Sequence, residues 1–334
     1  MKIIIPLLTL LIYACNYNNE VIICDDEQNL NEWSKQASIP NHLRLGAAVV
    51  TYNNQAYLMP GRGGYRFGIE PEILRYSNDT WTEIAIYDGW AKAGSYGIWQ
   101  IDDLVYLAGG INGSSHPTNE VVTFSLSNND LNVETYIPYS RRRSVCSCNS
   151  RTKGYIGYGH VVSDPFNNLQ HDIWSYDFAT GHWDSIPKPS INHSIHYSLM
   201  TCENDHLYLL IPTLESNNFY CLKEGSKKWV KLSDFPGNTR SGSVIISNAS
   251  DIYTGLGSAI SEDRSIYSDI WKYNIQKNEW ISFCQYPGVP FHSGFAFELN
   301  NDLFFGGGSN KFAISMKSLN NELYRLRITE NNKH

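Results

Sequence analysis

Charge is scarce in this sequence. Asp, Glu, Lys and Arg make up only 18% of its 334 residues, and acids prevail to leave a net charge of −7. No global positive field is therefore present to hold nucleic acid. Long apolar runs are missing as well: the run over residues 3–14 is too short to cross a bilayer as a helix. No Cys-x-x-Cys spacing marks a zinc site. No Gly-x-Ser-x-Gly, P-loop or His-Glu-x-x-His pattern marks a nucleophile elbow, a phosphate cradle or a metalloprotease. His193 and His196 are three apart, which on a strand sends them to opposite faces and argues against a metal pair. None of these patterns implies a cofactor.

Aromatic residues, in contrast, reach 13%, with 22 Tyr and 9 Trp, so β-forming residues dominate. The length exceeds that of an ordinary domain but suits a closed all-β fold. At the N-terminus Met1-Lys2 followed by the short apolar run reads as an export signal. It ends Ile12-Tyr13-Ala14-Cys15, which resembles a bacterial lipobox, although Tyr13 is bulky for that pattern. The resemblance implies cleavage before Cys15 and lipidation of Cys15. The chain would then be held in the bacterial cell envelope, periplasmic or at the cell surface, on the outer membrane. Several acyl chains make such anchoring effectively permanent. Export permits disulfides among Cys24, Cys146, Cys148, Cys202, Cys221 and Cys284, but the sequence leaves bridges and buried thiols equally open.

Internal repetition is the strongest signal. An apolar-aromatic strand, a polar turn and a Trp-led strand recur as Ile73-Leu74-Arg75-Tyr76 with Trp81, Ile173-Trp174-Ser175-Tyr176 with Trp183, Phe219-Tyr220-Cys221-Leu222 with Trp229, and Ile270-Trp271-Lys272-Tyr273 with Trp280. Val121-Val122-Thr123-Phe124 is a fifth copy without the Trp. Glycine-rich turns precede most copies, at Gly61-Arg62-Gly63-Gly64, Gly109-Gly110, Gly157-Tyr158-Gly159, Gly255-Leu256-Gly257 and Gly306-Gly307-Gly308. The period is about 50 residues.

The glycine pair at a strand end, the acid before the aromatic strand and the later Trp resemble kelch repeats over roughly residues 32–328. The resemblance implies an all-β, six-bladed kelch-type β-propeller, with blades near 43–87, 92–138, 142–187, 196–236, 240–287 and 292–328. The last unit lacks a Trp strand, and Glu32-Trp33-Ser34-Lys35 supplies one. Residues 32–38 are thus predicted to complete the sixth blade and clasp the ring. The domain reading is a signal peptide at 1–14, a polar tether at 15–31, the propeller at 32–328 and a tail at 329–334.

In such a blade the loops between the second and third strands share one face with the blade junctions. Here those loops are long, and they carry Tyr65, Phe67, His116, Phe166, His171, Tyr267 and Phe312. Near the start of each first strand sits a basic or titratable residue: Arg44, Lys92, Arg142, His196, Arg240 and His292. We expect these to form a collar at one mouth of the channel, suited to an anionic ligand. The competing expectation is structural. Glu72, Glu120, Asp172, Asp269 and Glu322 stand at the start of the third strand and can neutralise the collar. Arg141-Arg142-Arg143 reads as a solvated blade junction, and the recurring Trp set as core.

Two functions fit. One is a monomeric binding or interaction module that engages a glycan or a protein partner through the long-loop face, attached to the membrane through the lipid alone. The other follows from a likeness in outline to bacterial sialic acid epimerases, which are exported six-bladed kelch proteins acting on an anionic sugar. That likeness implies an isomerase in which His196 or His292 moves a proton. Galactose oxidase shares the kelch propeller, but no His/Tyr cluster here matches its copper site. The missing catalytic motif favours the binding module.

Overall fold

The computed structural model describes residues 22–26, 29–40, 44–63, 69–86, 94–112, 114, 116–139, 141–161, 169–191, 197–213, 215–312 and 315–328. Six of their antiparallel sheets are the blades of a six-bladed β-propeller, and three smaller sheets lie beside them. We letter the strands of each blade a to d from the axis outward. Blade 1 is Val49–Tyr52, Gln55–Leu58, Glu72–Ser77 and Thr80–Ile86. Blade 2 is Gly97–Ile101, Leu104–Ala108, Glu120–Ser125 and Leu131–Tyr136. Blade 3 is Cys146–Asn149, Lys153–Gly157, Ile173–Asp177 and Trp183–Ile186. Blade 4 is Leu199–Glu203, His206–Pro212, Asn217–Leu222 and Trp229–Lys231. Blade 5 is Val244–Asn248, Asp251–Gly255, Asp269–Asn274 and Glu279–Gln285. Blade 6 takes its first three strands from Phe295–Leu299, Asp302–Gly306 and Leu323–Arg327.

Burial explains the strand patterns. The b strands lie between a and c strands and between neighbouring blades, so they are apolar on both faces, as in Leu207–Ile211. The d strands are largely exposed, but three of their tryptophans reach back across the blade junction. Trp81 Nε1 donates to Ala37 O at 3.0 Å, Trp229 Nε1 to Pro187 O at 2.5 Å, and Trp280 Nε1 to Ser233 O at 3.0 Å. Burial of each ring and satisfaction of its N–H therefore tie one blade to the previous one. Trp99, which falls outside this register, is also core. It is 1% exposed, donates to Tyr155 O at 2.9 Å and stacks on Tyr176.

The a strands contact one another through short polar side chains. Ile98 N donates to Ser147 Oγ at 2.8 Å, Gln100 N to Asn149 Oδ1 at 3.1 Å, and Ser247 Oγ to Cys202 O at 2.8 Å. A disulfide joins Cys148 on blade 3 to Cys202 on blade 4. Alternation explains both roles of one strand: Ser147 and Asn149 face blade 2, and Cys148 faces blade 4. Cys146 and Cys221 are buried thiols.

The ring closes as the sequence predicts. Asn29–Lys35 pairs with Leu323–Arg327, in the register Glu32↔Arg327, Trp33↔Leu326, Ser34↔Arg325 and Lys35↔Tyr324. Trp33 is fully buried between Tyr286 and Phe305. Lys35 Nζ binds Glu322 Oε1 at 2.7 Å across the closure. The polar stretch predicted as a tether departs from that expectation. Ile22–Asp26 pairs with Asn29–Lys35 and adds a fifth strand outside the clasp. Backbone pairing needs no apolar side chains, which is why composition did not announce it. Cys15, together with all of residues 1–21, lies outside the described residues.

Candidate functional site

Just before each a strand, one residue adopts a left-handed backbone: Gly46, Ser95, Ser144, Tyr197, Gly242 and Ser293, with φ between 54° and 68°. Four N–H···O=C bonds link five of them around the axis. Ser144 N donates to Ser95 O, Ser95 N to Gly46 O, Gly46 N to Ser293 O and Ser293 N to Gly242 O, at 2.7–3.2 Å. This backbone belt narrows the channel on the loop face. Small residues suit it: a Cβ on Gly46 would sit 2.9 Å from Ser95 N.

The belt corrects the register of the predicted collar. Arg44, Arg142 and Arg240 each stand two residues before a belt residue. His292 stands one residue before, where Leu45, Arg143 and Ser241 are in other blades. Lys92 and His196 lie outside the described residues, as do Tyr65, Phe67 and Phe166. The described collar is therefore three arginines on alternate blades, and they do not line the axial cavity.

Each of these arginines is turned outward and neutralised. Arg142 makes a bidentate pair with Asp172, Nη1 to Oδ1 at 2.7 Å and Nη2 to Oδ2 at 3.1 Å, and lies 3.7 Å over the Tyr139 ring. Arg240 repeats the arrangement with Asp269 at 2.5 and 2.8 Å, and lies 4.2 Å over Tyr267. Arg44 reaches Glu72 Oε2 at 3.6 Å and donates to Glu72 O at 2.6 Å. Burial pushes the Asp172 and Asp269 carboxyls up. The arginine bonds and the indole N–H of Trp174 or Trp271 outweigh it, leaving both below the usual carboxylate range. Burial also pulls the Arg44 guanidinium down, against the opposing charge of Glu72. The structural pairing of cation with third-strand acid thus describes all three arginines. Glu322, a fourth such acid, serves the ring closure instead.

Above the belt lies a cavity of about 430 Å³ to which all six blades contribute. Its basic lining is Arg62, Arg143, His160 and His292, accompanied by Tyr96, Tyr197, Phe312 and a set of serines. No carboxylate lines it among the described residues. Burial, then the nearby Arg143 charge, lowers the Arg62 guanidinium. An arginine remains protonated under such pressure, so the cavity concentrates positive potential. A larger hollow of about 890 Å³ opens on the opposite face, but blades 2 to 4 alone line it, and Asp102 and Glu203 make it acidic, Asp205 being paired with Arg151. The two mouths thus differ in sign.

His292 is the one predicted proton-transfer residue that the structure places in the cavity. Its Nε2 lies 3.0 Å from Lys311 O and its Nδ1 3.0 Å from Ser293 Oγ. A carbonyl only accepts, so Nε2 carries the proton and Nδ1 accepts from the serine. Burial lowers the imidazole below its ordinary value, and the Lys311 bond partly opposes this. The ring is therefore neutral at pH 7 and can take up a proton through Ser293. Among the described residues no three His, Cys, Asp or Glu side chains converge as a metal would require.

Arg62, His160, Tyr96 and Tyr197 carry no site signal in the sequence, and the solvated junction expected at Arg141-Arg142-Arg143 is overturned: Arg142 is 1% exposed and Arg143 lines the cavity. A signal for Arg143 was present: residues alternate sides on a strand, so the neighbour of an outward Arg142 faces inward.

The fold and the axial cavity define a six-bladed β-propeller, whose repeats resemble those of kelch proteins. No protein-family model matches it. Over 127 residues it is 26% identical to N-acetylneuraminate epimerase 1 of Escherichia coli, a stretch covering 37% of this chain and 34% of the relative. Over 91 residues it is 32% identical to the N-acetylneuraminate epimerases of Salmonella typhi and Salmonella typhimurium, covering 26% of this chain and 24% of each relative. The chain therefore matches only 24% to 34% of the length of these curated relatives.

Proposed function

We propose that the protein is a sugar isomerase that interconverts the anomers of an acidic sugar, of which N-acetylneuraminate is the model, in the axial cavity. The observation that carries this reading is the cavity itself: concave, on the axis, lined by Arg62 and Arg143 and free of carboxylates among its described residues. A sugar acid with its carboxylate beside the anomeric carbon matches that charge. The likeness to N-acetylneuraminate epimerases supports the same chemistry.

The reaction asks little of the protein. A base removes the proton from the anomeric hydroxyl, the ring C–O bond breaks, and an acid protonates the released ring oxygen. Rotation about the exposed carbonyl and reversal of these steps give the other anomer, with no net change in atoms or electrons. Neutral His292, acting through Ser293 Oγ, suits the base. Arg62 or Arg143 would hold the carboxylate and stabilise the negative charge that develops on the ring oxygen. Signal cleavage and lipidation at Cys15 would place this activity in the cell envelope.

The test is NMR of N-acetylneuraminate released as its α anomer. Micromolar protein should accelerate equilibration, and Arg143→Met and His292→Ala should each reduce that acceleration at least tenfold. Equilibration at the buffer rate would overturn the reading. Binding of the acidic sugar without acceleration would leave the non-catalytic glycan-binding role instead.

A further inference from the structure

Three bulky aromatic or aliphatic residues hold a left-handed backbone: Tyr158 at φ 58°, Leu256 at φ 59° and Tyr197 at φ 68°. Side chains of this size seldom adopt such a conformation, and a site that keeps one must compensate for the strain. For Tyr158 and Leu256 the compensation is burial: they are 6% and 0% exposed, in the core between blades. Tyr197 differs. It is 41% exposed, and it lines the axial cavity.

Its place in the belt sharpens the contrast. The five equivalent residues are Gly46, Ser95, Ser144, Gly242 and Ser293, all small. Glycine, or a short polar residue, is what the backbone geometry asks for there. Blade 4 alone puts an aromatic ring at the position, standing edge-to-face to His160 with centroids 5.8 Å apart. His160 in turn comes from the segment that pairs with Arg142–Arg143. The ring thus stands beside the cationic part of the cavity, at a position where backbone preference does not account for it.

We propose that Tyr197 determines how an acidic pyranose sits in the cavity, its ring giving the sugar's apolar face a flat wall while the arginines hold the carboxylate. This rests on the reading of the cavity as an acidic-sugar site. An aromatic platform beside a few polar groups is a usual way to orient a ligand. The wall fixes which way the anomeric carbon faces relative to Ser293 and His292, so its loss should fall on binding first.

The experiment measures calorimetric binding of N-acetylneuraminate, glucuronate and glucose, anomer equilibration, and thermal midpoints, for the wild type, Tyr197→Gly and Tyr197→Phe. We expect the wild type to prefer the acidic sugars. Tyr197→Gly should keep or raise the midpoint, because glycine accepts the left-handed backbone, yet weaken acidic-sugar binding at least tenfold and raise KM more than it lowers kcat. Tyr197→Phe retains the ring and should bind within threefold of wild type. Unchanged binding in Tyr197→Gly overturns the proposal while leaving the isomerase reading intact. Lost binding accompanied by a midpoint lowered by 5 °C or more also overturns it, since that marks a structural ring. Wild-type binding without acceleration overturns the isomerase reading alone. If the wild type binds neither acidic sugar, the cavity reading and the role of Tyr197 fall together.

Discussion

Replacing Asp269 by alanine would strand the Arg240 guanidinium. That side chain is 5% exposed, and its remaining acceptors are Leu256 O at 3.3 Å and Asn238 O at 2.9 Å, with the Tyr267 face at 4.2 Å. Two carbonyls and a ring do not balance a full charge away from water. Removing one member of a buried pair costs about 3–5 kcal/mol, and the Tyr267 face and the carbonyls bring the expectation to about 3 kcal/mol. Arg240→Met should cost less, about 2 kcal/mol. Asp269 is then left 22% exposed with the Trp271 indole N–H still bound at 2.7 Å, so water and that donor satisfy much of its charge. The double variant Arg240→Met/Asp269→Ala should cost less than the two single changes summed, by about 2 kcal/mol. Arg151→Ala is the control. That guanidinium is 87% exposed although it meets Asp205 at 2.5 Å, so its loss should leave the urea midpoint nearly unchanged. Urea unfolding followed by tryptophan fluorescence at pH 7 measures all four. If Asp269→Ala costs no more than Arg151→Ala, the account of the buried pairs is wrong. A folded Arg240→Met that has lost affinity for acidic sugars would refute the outward placement of that arginine.

Three other outcomes are expected. A Cβ added at Gly154 would stand 2.3 Å from the Trp99 ring, so Gly154→Ala should destabilise by about 2 kcal/mol, seen as a lowered urea midpoint. Reduction of Cys148–Cys202, which bridges 54 residues, should remove up to about 4 kcal/mol on the chain-entropy argument; an unchanged melting temperature in reductant would contradict it. For pH the signs differ between groups. Asp172 and Asp269 are depressed, so their contribution is complete above the unfolded value near ~3.9 and drains away as pH falls through their lower folded values. His292 is also depressed, but as a base. Stability is therefore lost as pH falls from about 6.5 toward its folded value, and His292→Gln should flatten that limb of a melting-temperature profile.

The blades were legible because their signals are local. Tryptophan, glycine and acid recur at fixed offsets, and the incomplete last unit announced its partner at the other end of the chain. The collar was only half legible. Alignment on basic residues puts Arg44, Arg142 and Arg240 in one register, though outside the cavity, and draws in His292 one position late. The quantity that sets the register is a backbone angle, left-handed at Gly46, Ser95 and Ser144 alike, and it has no single letter. The cavity residues were hidden for a related reason. Arg62 sits inside a glycine turn and Arg143 inside a run of three arginines. Which of them faces the axis is decided by the short pairings of Arg44–Leu45 with Gly61–Gly63 and of Arg142–Arg143 with His160–Val161. The larger lesson concerns alternation. Blades 1, 3 and 5 share an arginine–acid pair and a Tyr–Trp contact with centroids 5.0 Å apart, at Tyr76–Trp81, Tyr176–Trp183 and Tyr273–Trp280. The chain thus repeats by pairs of blades as well as by single ones.

The clasp at blade 6 also governs the order in which the molecule can be assembled. Blades 1 to 5 are each made of consecutive strands, and their hairpins can zip as soon as their own residues are available. Blade 6 cannot. Trp33 must wait for Leu326, so the step that seals the ring carries the largest sequence separation in the fold and the highest entropic cost of search. Until then both flanks of the growing stack are open, and the belt of backbone bonds around the axis lacks its link between Gly46 and Ser293. The cavity is therefore the last thing the chain makes: a ligand pocket exists only in molecules whose two ends have met.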